Sequence, residues 1–196
     1  MPGERAKHTL RVELSARRAA LSAPELEREA TALAATAGTL GATGWVCAYV
    51  PVGGEPGSTA MLDALRSGGA RVLLPITGKP GPLNWAEYTG PSALRRARYG
   101  LLEPIGPVLS PEAVAEAELI LVPALAVDRR GVRLGRGAGY YDRTLPGAHP
   151  DARLIAVVRD DELVGHLPEQ PHDIRMGWAL TPHAGLHRLG VDRATE

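Results

Sequence analysis

Four short apolar runs alternate with helical patterns along the chain, and this alternation restricts the fold more than any other feature. The runs lie at residues 45–50, 71–75, 118–123 and 152–158. Strands that are apolar at every position need cover on both faces, and strands separated by helices pair in parallel. The sequence therefore predicts one α/β domain over residues 1–196, with an open, mainly parallel sheet and helices on both faces.

Three helices are predicted before and between the first two runs. One spans about residues 5–21, where leucines recur at helical spacing, and the next spans 22–40 behind a capping box. A third runs from a cap at Ser58 or Thr59 to the glycines at 68 and 69. Two further patterns stay open: residues 111–117 are helix-like, and residues 76–91 form either a flap or an added hairpin.

Open α/β sheets bind ligands beyond the carboxyl ends of their strands. Three loops qualify here, namely residues 51–57, residues 123–139 and the chain after residue 158. The first carries Glu55, which we expect either to face this crevice or to be a solvated loop carboxylate. Trp85 and Tyr88 follow the second run, where they either cover a flat ring or fill the core.

The segment RLGRGAGYYDRTL, residues 133–145, has the composition of an anion site. Five arginines and two aspartates lie between residues 128 and 143 of a chain whose 22 basic and 22 acidic side chains balance. Glycines expose backbone N–H groups, a following helix start adds more of them, and Arg133 and Arg136 supply guanidinium donors. The spacing fits neither a P-loop nor a dinucleotide fingerprint. A phosphate site is favoured over a tight surface turn.

Carboxylates near this segment suggest a magnesium ion. Asp142 follows the glycines and is either a metal ligand or a helix cap, while Glu169, His172 and Asp173 form a second cluster. Two carboxylates from separate loops suit Mg²⁺ when phosphate oxygens complete the shell. No serine or cysteine nucleophile motif accompanies His172, which argues against a hydrolase dyad.

Lys7, Arg11 and Arg18 recur at helical spacing and border the apolar stripe of the first helix. They either meet the body of the protein or form a solvated rim.

Charge and cysteine content exclude several classes of protein. Balanced charge supplies no field for nucleic acid or anionic membranes. The single cysteine, Cys47, lies in an apolar run, so we expect it in the core and no disulfide framework. Neither a membrane span nor a signal peptide is evident, so we expect a cytoplasmic protein.

Taken together, several segments resemble the 5-formyltetrahydrofolate cyclo-ligase family. They are Lys7-x-x-x-Arg11, Glu55, Glu103-Pro104, the run VPALAVDRRGVRLGRGAGYYDRTL at 122–145 and PHDIRMGWALTP at 171–182. The resemblance implies an enzyme that uses Mg²⁺ and ATP to convert 5-formyltetrahydrofolate to 5,10-methenyltetrahydrofolate, releasing ADP and phosphate. Separately from the resemblance, we expect a monomer or weak homo-oligomer.

The resemblance further implies roles for individual residues. ATP contacts fall on Lys7, Arg11, Arg133, Leu134, Gly135, Arg136, Gly137, Ala138, Gly139, Tyr140 and Tyr141. Substrate contacts fall on Arg11, Val50, Glu55 and Arg136 to Tyr140, with Trp85 as the ring-covering residue. Asp142 and Asp173 would bind the metal, and Arg136 and Tyr140 would be catalytic.

Two alternatives remain at this point. One is a non-catalytic folate- or nucleotide-binding protein, for which Gly177 is a reason because aspartate is common at its position in the family. The other is an enzyme of similar fold that acts on a sugar phosphate or a coenzyme A ester.

Overall fold

A seven-stranded, mainly parallel sheet forms the centre of the molecule. The computed structural model describes residues 2–78, 80–97 and 100–190. In chain order the strands are β1 Trp45–Cys47, β2 Arg71–Ile76, β3 Asn84–Tyr88, β4 Leu94–Arg96, β5 Leu102–Pro104, β6 Ala117–Pro123, β7 Ala126–Asp128, β8 Arg133–Leu134, β9 Arg153–Val157, β10 Leu163–Val164, β11 Trp178–Thr181 and β12 Gly185–Arg188. The main sheet has the order β12-β11-β9-β6-β1-β2-β3. Its five inner strands pair in parallel, whereas β3 and β12 pair antiparallel at the two edges.

The helices are α1 Pro2–Ala19, α2 Ala23–Ala37, α3 Thr59–Ser67 and α4 Tyr140–Thr144, with 3-10 helices at Pro91–Ala93, Pro111–Glu116, Leu145–Gly147 and Asp160–Glu162. Local chemistry fixes their starts. Glu25 accepts a hydrogen bond from the backbone N–H of Ser22 at 2.8 Å, as the capping box predicts. Ser58, rather than Thr59, caps α3 by accepting from Ala60 N–H at 3.2 Å.

The two faces of the main sheet are covered by different kinds of element. On one face, α2 and α3 bury Leu33, Met61 and Leu62 against alternate strand residues such as Val46. On the other face, the 3-10 helices and α4 supply the cover, and Cys47 is fully buried there as expected. Because both faces of the sheet are buried, the inner strands have apolar side chains at almost every position.

A small three-stranded sheet, β10-β7-β8, carries α1. Leu14 of α1 packs with Leu125, Val132 and Leu134 on it. This cluster positions α1, and hence its basic side chains, beside residues 133–142.

Several boundaries differ from the expectations. β1 is shorter than its apolar run because the chain leaves the ladder after Ala48 donates to the Leu73 carbonyl. Residues 111–116 form a 3-10 helix, and residues 84–88 of the open 76–91 segment form β3, which favours the hairpin; residue 79 lies outside the described residues. Within the described ranges, no helix combines the length and apolar character that crossing a membrane requires.

Candidate active site

A cavity of about 270 Å³ opens where β1, β2 and β6 end, at the carboxyl edge of the parallel strands. Residues after each of these strands line it, among them Val50, Thr77 and Ala124. Residues 133–142 complete the lining together with Lys7 and Arg11 of α1. The cavity lies where the sheet topology predicts a ligand site.

Every predicted site residue except Trp85 lines this one cavity. The set is Lys7, Arg11, Val50, Glu55, Arg133, Leu134, Gly135, Arg136, Gly137, Ala138, Gly139, Tyr140, Tyr141, Asp142 and Asp173. Trp85 is 0 % exposed and belongs to the core beneath the sheet, so the expectation that it covers a substrate ring is wrong. Its position on β3 points the indole inward, and Tyr88 of the same strand is likewise in the core.

Residues 135–139 present free backbone donors. Gly137 and Gly139 have positive φ values of 99° and 70°, a conformation that favours glycine and turns successive N–H groups to one side. None of the five backbone N–H groups of residues 135–139 donates a hydrogen bond within the described parts of the chain. Residues 136–138 are exposed and Gly135 and Gly139 are half-buried, so these donors are accessible to a ligand, and a phosphate group is a suitable acceptor.

Arg136 links the glycine segment to the loop after β1. Its Nη2 donates to the carbonyls of Val52 and Gly53 at 3.2 and 2.9 Å, and its Nε lies 3.3 Å from Glu55 Oε1. The side chain remains about half exposed, so its guanidinium is accessible from the cavity. One arginine therefore joins two of the three loops that were predicted to bind ligands, residues 51–57 and 123–139.

The other cavity cations are each held by an anion or a carbonyl. Lys7 Nζ lies 2.7 Å from Asp173 Oδ2, and Arg11 Nε donates to the Gly135 carbonyl at 3.0 Å. Lys7 is 5 % exposed, so it is not part of a solvated rim. The pairing neutralises charge inside the cavity while no polyanion is bound.

Asp142 does not cap α4. Gly139 occupies the N-cap position, and the Asp142 carboxylate instead pairs with Arg133 Nη2 at 2.6 Å. Asp142 and Asp173 thus face the same cavity from separate segments. No group of three or more His, Cys, Asp or Glu residues in the described ranges could hold a metal ion alone, so a cation here would need ligand oxygens as well.

Glu55 is a nearly buried carboxylate at the cavity surface. Its Oε2 accepts the Val52 N–H at 3.0 Å. Burial raises the pKa of Glu55, although the Val52 N–H and Arg136 both favour the charged form. The carboxylate is therefore not a solvated loop residue, and it is suited to receive a hydrogen bond from a ligand.

Two tyrosines follow the glycines with different surroundings. Tyr140 OH donates to the Gly78 carbonyl at 3.4 Å and its ring lies beside Arg143. The Tyr141 hydroxyl is buried without a partner in the described ranges, and burial raises its pKa. A buried donor without an acceptor is a group that a ligand can satisfy.

The remaining members of the 169–173 cluster lie elsewhere. Glu169 pairs with Arg175 at 2.7 Å, and His172 is exposed. Only Asp173 of this cluster lines the cavity.

Sequence reasoning missed a further group of lining residues: Tyr49, Val52, Pro75, Thr77, Leu83, Leu101, Leu102, Glu103, Pro123 and Ala124. Those directly after β1, β2 and β6 follow from the carboxyl-edge rule. Leu101 and Leu102 gave no such signal, since β5 pairs with β4 outside the main sheet, and Glu103 was noted only within the Glu103-Pro104 pair of the family resemblance. Glu103 is nevertheless fixed there, because it accepts from Thr77 N–H at 2.9 Å and from the Thr77 hydroxyl.

Comparisons with known proteins identify the family of the chain. Residues 3–182 match the family model described as 5-formyltetrahydrofolate cyclo-ligase family. A 5-formyltetrahydrofolate cyclo-ligase of Mycolicibacterium smegmatis is 52% identical over 191 residues, covering 94% of this chain and 98% of the relative. One of Escherichia coli is 30% identical over 140 residues, covering 70% and 77%.

Solved structures give the same result for the fold. The Aquifex aeolicus 5,10-methenyltetrahydrofolate synthetase has a TM-score of 0.79 at 26% identity, covering 97% of this chain and 96% of its own. The synthetase of Mycoplasma pneumoniae has a TM-score of 0.66 at 19% identity, which supports the fold alone. The chain belongs to the 5-formyltetrahydrofolate cyclo-ligase family.

Proposed function

We propose that the protein uses ATP and Mg²⁺ to close 5-formyltetrahydrofolate to 5,10-methenyltetrahydrofolate, with release of ADP and phosphate. The observation that carries this proposal is Arg136, which contacts the Glu55 loop while it lies within the glycine segment. An enzyme that joins a triphosphate to a second substrate needs such a junction between two ligand sites. The family membership supports the same reaction.

In this proposal the triphosphate lies along residues 133–141. The free amides of residues 135–139 and the side chains of Lys7, Arg11 and Arg133 supply its donors. The folate lies on the other side, against Val50 and Glu55. Arg136 and Tyr140 lie between the two ligands, where the reacting ends meet.

The chemistry needs positioning and charge stabilisation rather than a protein nucleophile. The formyl oxygen attacks the γ-phosphorus, and the bond from that phosphorus to ADP breaks. N10 then attacks the formyl carbon and loses its proton to solvent, and the carbon–oxygen bond breaks as phosphate leaves. Arg136 and the backbone amides stabilise the charge that develops on the transferred group.

Asp142 and Asp173 are the residues that would hold Mg²⁺. The ion, when bound with phosphate oxygens as further ligands, neutralises charge on the transferred phosphoryl group. Both carboxylates face the cavity, and neither belongs to a protein-only metal cluster within the described residues, which supports a site completed by the nucleotide.

The test is the absorbance of the methenyl product after protein, ATP, Mg²⁺ and 5-formyltetrahydrofolate are mixed, with ADP measured in parallel. Product and ADP are expected in equal amounts. Binding without turnover would favour a folate- or nucleotide-binding protein. Absence of ADP with turnover of a sugar phosphate or coenzyme A ester would favour the other alternative.

The balanced charge supports a partner list limited to small molecules, without nucleic acid. We also propose a monomer or weak homo-oligomer, which light scattering at micromolar and millimolar concentrations would test.

A further inference from the structure

A buried network of two arginines and two glutamates lies behind the Glu55 loop, outside the cavity. Arg18, Arg159 and Glu162 are 4 %, 5 % and 3 % exposed, and Glu29 completes the set. Arg18 Nε and Nη2 contact the two carboxylate oxygens of Glu162 at 2.7 Å each. Arg159 Nε donates to Glu29 Oε2 at 2.7 Å. None of these four residues lines the cavity.

The network joins four parts of the chain. Arg18 belongs to α1, Glu29 to α2, and Glu162 to the 3-10 helix after β9, whereas Arg159 lies just before that helix. The Arg159 backbone N–H donates to Glu162 Oε2 at 2.8 Å and Arg159 Nη1 lies 3.7 Å from Glu162 Oε1, so one glutamate contacts both arginines. Two positive and two negative charges balance, which is the condition under which buried ions are tolerated.

Each arginine also donates a hydrogen bond from its guanidinium group to a backbone carbonyl at the cavity edge. Arg159 Nη1 donates to the Gly54 carbonyl at 3.0 Å, and Arg18 Nη2 donates to the Ala124 carbonyl at 2.6 Å. Gly54 directly precedes Glu55, and Ala124 itself lines the cavity. The loop is also seated on α1, since a Cβ at Gly54 would lie 3.5 Å from Cβ of Arg18.

The Glu55 loop is therefore held from two sides. Arg136 binds the Val52 and Gly53 carbonyls from the cavity side, and Arg159 binds the Gly54 carbonyl from the interior. Arg136 is half exposed and is expected to engage a ligand, whereas Arg159 is buried and already oriented by Glu29 and Glu162. The interior contact is the one that stays in place when a ligand recruits Arg136.

We infer that Arg159 is a positioning residue for the folate substrate, acting through Gly54 to keep the Glu55 carboxylate at the cavity surface. This inference rests on the proposed role of Glu55. It assigns to Arg159 an effect on the affinity for 5-formyltetrahydrofolate and none on the affinity for ATP, because the glycine segment makes no contact with Arg159 among the described residues.

The test is the Arg159→Lys variant, which retains the charge opposite Glu29 but cannot reach both Glu29 and the Gly54 carbonyl with fixed geometry. We expect the KM for 5-formyltetrahydrofolate to rise about tenfold while the KM for ATP stays within about twofold, since one charged hydrogen bond is lost. The matched control is Arg153→Lys. Arg153, at the other end of β9, also donates to a backbone carbonyl, that of Leu40 at 2.8 Å. Neither residue lines the cavity, so the loss of this hydrogen bond should leave both KM values unchanged.

A comparison with Glu55→Gln separates the two proposals. If Arg159 acts through Glu55, the double variant will have the same folate KM as Glu55→Gln alone. Equal rises in both KM values for Arg159→Lys, or additive effects in the double variant, would overturn the inference. An unchanged folate KM in Glu55→Gln itself would instead refute the proposed substrate contact.

If Arg159→Lys does not fold, Glu29→Gln carries the test, because it leaves Arg159 in place and removes the charge that orients it. A rise of about threefold in the folate KM alone is then expected. Identical folate KM values for Glu29→Gln and the native protein would overturn the inference.

Discussion

At the scale of single residues, the cavity contains several cations, each with protein partners that a bound anion can replace. Lys7 and Arg133 each hold an aspartate, whereas Arg136 holds two carbonyls and lies beside a glutamate. A bound triphosphate offers these cations charged phosphate oxygens, which are stronger acceptors than carbonyl oxygens. The contribution of each cation to the binding free energy is therefore the difference between its interaction with phosphate and its interaction with its protein partners. We expect this difference to be largest for Arg136, whose protein partners are mostly neutral carbonyls.

The Arg136→Ala variant is expected to lose about a hundredfold or more in kcat while its Tm stays close to that of the native protein. The side chain is half exposed and so contributes little to stability, but it is aimed at the transferred group. Steady-state formation of the methenyl product and thermal unfolding measure the two effects. Arg28→Ala, at an exposed position of α2, is the control, and native turnover in Arg136→Ala would refute the phosphate assignment.

The Asp142→Asn variant is expected to raise the Mg²⁺ concentration for half-maximal activity by about tenfold, because a neutral amide is a poorer ligand for a hard cation. The measurement is a Mg²⁺ titration at saturating ATP. Asp151→Asn removes a carboxylate that is 94% exposed and does not line the cavity, and it should leave the titration unchanged. Superimposable curves for Asp142→Asn and the native protein would contradict the metal role.

At the scale of secondary-structure elements, the sequence predicted the strands whose apolar runs are long and missed those that are short. β2, β6 and β9 lie within a residue or two of the predicted runs, because burial on both faces leaves an unbroken apolar signal. β7, β8 and β10 have only two or three residues each, too few for any periodicity to be visible. Their sheet nevertheless carries α1, so the placement of Lys7 and Arg11 depends on elements that the sequence did not reveal.

The site residues were predictable for a related reason. Glycines, arginines and tyrosines at 133–141 are adjacent in sequence and signal chemistry directly, whereas the Arg18–Glu162 pair joins residues 144 positions apart. Arg18 was recognisable as part of a basic stripe on α1, but its partner was not. Long-range ion pairs leave no local pattern.

The turn between β11 and β12 depends on one carboxylate. Asp160 accepts from the Thr181 hydroxyl at 2.8 Å, from Ala184 N–H at 2.9 Å, and lies 2.9 Å from His183 Nδ1. Although burial opposes it, these contacts lower the pKa of Asp160 to about 2. Because the pKa of Asp160 is lower in the folded protein than in the unfolded chain, its carboxylate stabilises the fold fully at pH values above the ordinary pKa of 3.8. This stabilisation is lost as the pH falls toward 2.

We therefore expect Asp160→Asn to lower the Tm at pH 7 by roughly 3 °C, a modest value because the carboxylate is partly exposed. At pH 3 the difference from the native protein should shrink to about half, and thermal unfolding at the two pH values measures it. The control is Asp161→Asn at the neighbouring exposed position, which should leave the Tm unchanged at both pH values. A difference that grows on acidification would contradict the assigned pKa.

At the scale of the whole molecule, binding and stability are linked through the cavity, since its lining comes from α1, from α4 and from several strands and loops between them. A ligand that contacts all of them favours the folded state over the unfolded state. At a concentration of one hundred times Kd, such a ligand stabilises by about 2.7 kcal/mol. For a chain of this length that corresponds to a rise in Tm of about 5 to 10 °C.

ATP with Mg²⁺ is accordingly expected to raise the Tm of the native protein by this amount and that of Arg136→Ala by clearly less. Differential scanning fluorimetry with and without EDTA separates the contribution of the metal. ADP, which lacks the γ-phosphate, serves as the matched ligand control and should give a smaller shift. An equal rise in Tm with ATP in the native protein and in Arg136→Ala would mean that the nucleotide binds outside the proposed site at residues 133–141.

Contacts between α1 and the last third of the chain have a consequence for synthesis. Lys7 contacts Asp173 and Arg18 contacts Glu162, so α1 finds these partners only in segments that are synthesised more than 140 residues after it. Until then Lys7 and Arg18 lack their carboxylate partners, and part of the surface on which α1 packs has not been synthesised. The pocket therefore cannot be completed during synthesis until Asp173 has been made, because this residue both lines the pocket and pairs with Lys7.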